Sequence, residues 1–185
     1  MKDASKAQDR MKAAGIAPVS LPLGNAMAMG NWKAEIRGPD GVLIETLEWQ
    51  NLIVNVGLDQ LLGDGLVGGA PWYIGLTDGT PTVAAGDTMA SHAGWSEVAG
   101  YDETARQAWT PGTVAGQLVN NNAAAAVFTV TSNSTTIGGA FLADSSTKSG
   151  TTGKLFAAGA FDQGDAMLPA GSTITVTAQF TQAAA

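Results

Sequence analysis

A single imidazole, His92, lies in the run Met89-Ala90-Ser91-His92-Ala93-Gly94-Trp95-Ser96-Glu97, close to two serines. A histidine beside a serine is the start of nucleophilic chemistry, in which the ring takes the hydroxyl proton. That chemistry also needs a third group to orient the base, and adjacency in sequence does not supply the geometry. The expectation is a loop histidine bonded to backbone. Asp102 and Glu103 are a second candidate, because glycoside hydrolysis uses two carboxylates. Those carboxylates must face each other, whereas neighbours in a strand point to opposite faces. A solvated loop is expected, with Glu103 pairing with Arg106. Asp78, Asp87, Asp144, Asp162 and Asp165 offer the oxygen atoms that calcium takes. No calcium-loop spacing links them, and aspartate is ordinary in turns. Gly63-x-Gly65 lacks the third glycine of a dinucleotide fingerprint, and no lysine follows Gly138-Gly139. No catalytic, cofactor-binding or metal-binding residue is assigned, and no cofactor is expected.

Composition narrows the field further. The 185 residues contain no cysteine, which excludes disulfides, thiolate metal sites and a cysteine nucleophile. Charged residues make up only 14%, and alanine, glycine and threonine dominate, as in a chain of small, close-packed side chains and many turns. The five tryptophans, Trp32, Trp49, Trp72, Trp95 and Trp109, could stack on sugars, but such residues more often fill cores or subunit interfaces. Net charge is −7, which argues against wrapping nucleic acid or docking on anionic lipid. The charge is unevenly spread. Lys2, Lys6, Arg10 and Lys12 face only Asp3 and Asp9, so the first twelve residues carry +2 and the remainder −9. Between Pro39 and Thr147 the only basic residue is Arg106. Apolar runs are short and broken by Gly, Asp or Pro, so no membrane span is expected. Ala26-Met27-Ala28 has the small-x-small look of a cleavage site, but the mixed charge of the head and Pro18 and Pro22 argue against a signal peptide. The sequon Asn133-Ser134-Thr135 has meaning only in a secreted eukaryotic chain.

The elements that would position these residues are almost all strands. Residues 1–30 read as an arm, with a short helix over 4–14 capped by Asp3 and an extended stretch over 17–24 around Pro18 and Pro22. From Asn31 the pattern becomes two-residue alternation. Trp32, Ala34 and Ile36 share one face, Gly38-Pro39-Asp40-Gly41 forms a turn, and Val42–Trp49 returns as a hairpin strand. Asn51–Val54 is expected as a strand, Gly57–Leu62 as one or two helical turns, and Trp72–Thr77 as a strand. A loop over Pro81–Glu97 follows. Strands are then expected at Thr104–Thr110, Ala125–Thr131, Thr135–Leu142 with a bulge at Gly138-Gly139, and Leu155–Ala160. The clearest strand is Thr173–Thr181, with Ile174, Val176, Ala178 and Phe180 on one face and threonines with Gln179 on the other. This density of strands implies an all-β domain over 31–185, an antiparallel β-sandwich or jelly-roll-like fold behind an extended N-terminal arm.

Three groups of residues add a resemblance: Trp72-Tyr73-Ile74-Gly75-Leu76-Thr77-Asp78; the run Gly86 to Glu97 with Tyr101 and Ala105-Arg106; and Asn51–Leu58 with Ile137–Leu142. Together they resemble tailed-bacteriophage virion structural proteins, in loose order over about Asn31 to Phe180. The resemblance implies a non-enzymatic particle component, foremost a capsid cement or decoration protein, with a neck, tail or fibre-adaptor component as the alternative. A carbohydrate-binding attachment module is the rival from another class. The implied partners are the major capsid protein or other virion subunits and further copies of the chain, with no nucleic acid and no membrane. The implied location is the virion, assembled in the host cytoplasm.

Overall fold

The computed structural model describes residues 29–54, 65–69, 71–114 and 118–181. Strands β1 (Met29–Arg37) and β2 (Leu43–Ile53) form the expected antiparallel hairpin. In its turn Gly41 has a φ of 78°, which glycine adopts without a Cβ clash, and Asp40 Oδ1 accepts the Val42 amide at 3.0 Å. β2 continues to Ile53, so the separate strand expected at Asn51–Val54 is the end of this one. Nine more strands follow: β3 (Trp72–Thr77), β4 (Gln107–Trp109), β5 (Leu118–Asn120), β6 (Ala126–Thr129), β7 (Thr135–Ile137), β8 (Gly139–Ala143), β9 (Leu155–Ala160), β10 (Ala166–Leu168) and β11 (Thr173–Thr181). The one helical piece among the described residues is a 3-10 turn at Asn122–Ala124. The fold is all-β.

One curled antiparallel sheet carries nearly everything, in the order β4-β3-β8-β9-β2-β1-β11-β5, with β6 also on β11. On its side away from β1, β11 takes β6 along Thr173–Val176 and β5 along Gln179–Thr181. The curl brings the ends of the sheet together. Tyr101 bridges to Val130, and the Trp109 indole donates to the Ala178 carbonyl at 3.3 Å. A core fills the space enclosed. Trp32 stacks on its cross-strand partner Trp49 at 5.7 Å, and Phe180 meets Trp32, Trp109 and Phe156 edge-on. All five tryptophans are buried in this core or in a smaller cluster with Met89, Phe141 and Leu155. The inward register of β11 is the one its alternation implies: Ile174, Val176, Ala178 and Phe180 are buried and the intervening residues half-buried.

Four expectations need correction. Thr135–Leu142 is two strands, because the chain changes sheets at Gly138: β7 pairs with β10, and β8 joins β3 and β9. Gly138 donates to the Thr77 carbonyl at 3.0 Å, and a Cβ there would collide with the Gly79 backbone, so its glycine marks a close crossing rather than a bulge. The strand expected at Thr104–Thr110 shrinks to three residues, because the Arg106 amide bonds to the Ser146 carbonyl instead of a ladder partner. β5 and β10 were not expected at all. β1 begins two residues inside the expected arm. The rest of that arm, including the 4–14 helix and the 17–24 extended stretch, lies outside the described residues, as does Gly57–Leu62.

Candidate functional site

The most completely bonded polar group in the described chain is Arg106. Its side chain is fully buried, and Glu97, at 7% exposure, receives two of its hydrogen bonds, Nε to Oε1 at 3.0 Å and Nη2 to Oε2 at 2.8 Å. The remaining donors reach the carbonyls of Ser145 at 2.9 Å and Gly150 at 2.8 Å, and the guanidinium lies over Phe141, 5.0 Å from the ring centroid. Glu97 Oε2 also accepts the amide of Ser149, which has a φ of 58°. A planar, two-pronged cation suits this geometry in a way lysine could not. The pair therefore pins the 145–150 loop to the sheet. Lys148 adds a second clamp, donating to the Tyr101 carbonyl at 2.8 Å and lying 4.0 Å from the centre of that ring. Burial, chiefly, pushes the Tyr101 phenol up from its usual range, with the Glu97 charge adding to it.

The sequence-designated groups are spread apart. Glu103 does not reach Arg106; its carboxylate accepts the Thr129 amide at 3.1 Å, while Asp102 is exposed and bonded through its backbone. The reason is that Glu97 already fills the guanidinium fork. His92 Nδ1 donates to the Trp95 carbonyl at 3.0 Å, and its ring stacks on Trp95 at 3.9 Å, so its described bond runs to backbone and not to Ser91 or Ser96. Asp87 is buried, accepting the Ala84 amide and the Trp95 indole N–H, which stitches the loop together. Asp144 accepts the Lys154 amide and Asp165 the Thr80 hydroxyl. Among the described residues no three acidic or imidazole groups gather where a metal could bind. Sequence reasoning missed the Arg106–Glu97 pair. The signal was there in the isolation of Arg106 within a long acidic stretch.

Among the described residues, the outer face of β11, β1 and β2 carries exposed or half-buried side chains. Their outward residues align in rows across the strands, such as Gln179, Asn31 and Gln50, then Thr177, Lys33 and Glu48. Asn122 and Asp162 rim a cleft of about 410 Å³ over this face. A second hollow of about 300 Å³ adjoins it, sharing Lys33, Asn122 and Thr177. Glu35 is held below the usual carboxylate range by hydrogen bonds from Lys33 first and Arg37 second. Four primary amides converge here, from Asn31, Gln50, Asn122 and Gln179, with the Gln50 amide donating to Asn31 Oδ1 at 3.4 Å. Such a surface can bind neutral polar groups; it holds no paired nucleophile and base. At its edge the face ends in β2, where Val42 just before the strand and Leu43 and Ile44 within it are 61, 46 and 59% exposed at the hairpin tip.

The described elements thus define an all-β domain with a polar outer sheet face and an exposed hairpin tip. Comparison with protein-family models, with curated proteins and with solved structures finds no match to this chain.

Proposed function

We propose that the chain is a non-enzymatic structural subunit of a tailed-bacteriophage particle, foremost a cement or decoration protein of the capsid shell. The observation that carries this reading is the outer surface of β11, β1 and β2, exposed or half-buried among the described residues, which ends in an apolar hairpin tip. Contiguous exposed apolar residues on a rigid element favour contact with another protein. Asp87 and His92, singled out for chemistry, hold the chain's own loop, and the Glu97–Arg106 pair holds another. The residue groups that resemble virion proteins, notably Trp72–Asp78 and Gly86–Glu97, supply β3 and the loop bonded to it, so the resemblance falls on the scaffold. In this role the acidic body sits against the shell or against other virion subunits, and copies of the chain contact one another. A neck, tail or fibre-adaptor position uses the same surface at a lower copy number.

Quantitative mass spectrometry of density-banded particles tests the proposal. Cement predicts copies comparable to the major capsid protein, a neck or tail component predicts about a dozen or fewer, and absence from particles overturns both. A second reading, glycan attachment, is favoured by the four converging amides of the 410 Å³ cleft, since amide groups pair well with sugar hydroxyls. Binding to a glycan array that Asn31→Ala and Gln179→Ala together abolish would select it.

A further inference from the structure

β2 has an open side. Toward β9 it pairs only at Leu52 and Ile53, and among the described residues nothing pairs with its remaining length on that side. Val54 donates to the Phe156 carbonyl across the same side. Backbone groups of alternate residues point the same way, so Thr46 and Glu48 also direct their N–H and C=O outward, with Ile44 beside them at the bulge. All three are exposed. An unpaired edge of this kind is a template for one more strand.

Two copies of β2 make a poor match for each other. A pair centred on Glu45 or on Glu48 would set like charges opposite one another, which is destabilising. The occupant should be an extended segment without acidic residues. Residues 17–24, Ala-Pro-Val-Ser-Leu-Pro-Leu-Gly, follow the +2 head of an otherwise acidic molecule. Its prolines also obey a rule. Pro18 and Pro22 share one parity, and Val19, Leu21 and Leu23 share the other. In a strand, the odd residues would turn every N–H and C=O to β2, while both prolines face solvent, the only place a strand tolerates them. The outer prolines would then stop further strands from adding.

We propose that the open edge of β2 receives Val19–Leu23 of a neighbouring copy as an added strand. A self-paired version has only a short tether. Residues 24–28 span at most about 17 Å, and they would have to pass from β1 over β2 where β9 already joins it. The inference deepens the structural proposal and rests on it only for the presence of neighbouring copies.

The parity of the segment supplies the test. Light scattering on the purified full-length chain should show concentration-dependent association. Leu21→Pro, which removes an inward N–H, should lower it at least tenfold, while Ser20→Pro, which removes an outward one, should leave it within about twofold. Hydrogen exchange at Thr46 and Glu48 should be slowed in the associated protein and fast in the Leu21→Pro variant. Equal effects of the two substitutions, or no association, would overturn strand addition. Protection of Thr46 and Glu48 in strictly monomeric protein would overturn exchange between copies. If the chain is abundant in particles yet fails these tests, the inference falls and the particle role stands. If association behaves as stated but particles lack the chain, the reverse holds.

Discussion

Replacing Arg106 by methionine should be among the most damaging single changes available outside the apolar core. The substitution keeps much of the side chain's aliphatic length and removes the guanidinium, with its place over Phe141 and every one of its hydrogen bonds. Glu97 is left as a carboxylate at 7% side-chain exposure, with only the Ser149 amide as partner. Breaking a buried pair from one side in this way costs about 3–5 kcal/mol. For a chain of this size each kcal/mol moves the melting midpoint by about 2–4 °C, so a fall of about 6–20 °C is expected. Urea unfolding followed by tryptophan fluorescence suits the measurement, because all five indoles are buried. The companion Glu97→Leu separates pairing from packing. In the double variant Glu97→Leu/Arg106→Met no charge remains buried, so its cost should fall below the sum of the two single costs by at least about 1 kcal/mol. An Arg106→Met protein within 1 kcal/mol of wild type, or strictly additive costs, would refute the reasoning. Amide exchange at Ser149 gives an independent reading, since that N–H should lose protection when Glu97 is shortened.

Phe180→Ala should cost about 3–5 kcal/mol by urea unfolding, because the ring is 6% exposed and contacts three aromatic partners. Gly138→Ala should prevent normal folding, judged by loss of the near-ultraviolet signal, since the added methyl meets backbone that cannot move aside. Tyr101→Phe should leave stability unchanged or raise it by about 1 kcal/mol, as the buried hydroxyl has no hydrogen-bond partner. The folded phenol holds its proton more tightly than the unfolded one. Stability should therefore be level up to about pH 10 and fall as the pH rises beyond it, a loss that Tyr101→Phe reduces in alkaline denaturation.

The parts of the fold legible in the sequence are those where one face of a strand is buried and the other is not. β1 and β11 announce themselves because Trp32, Ala34, Ile36 and Ile174, Val176, Ala178, Phe180 each repeat every second residue. β8 and β9 are buried on both faces, so they read as short apolar runs whose pairing partners stay hidden. β5 and β10 span three residues each, too few for any period to show. Gly138 signals close approach, but only the folded chain shows that Gly79 is what approaches. Arg106 and Glu97 are nine residues apart and meet through a loop, so no local pattern predicts their pairing. The outer face was readable residue by residue as polar. Its cleft was not, because Asn122 and Asp162 reach its rim from distant connections.

The position of β11 has a consequence in time. β1 and β2 are made before the other strands, yet the strand that completes the other side of β1 is β11, about 120 residues after β2 ends. At roughly 5–20 residues per second the ribosome needs about 6 to 24 s to reach it. Throughout that interval Trp32 and Trp49 lack Phe180 and the rest of the closing strand, and the β1 edge is unpaired. The nascent hairpin is therefore sticky for many seconds, long compared with the microseconds in which it forms. Holdase chaperones should bind the chain at this stage and release it once Thr173–Thr181 has emerged, so yield should depend more on synthesis rate than on final stability.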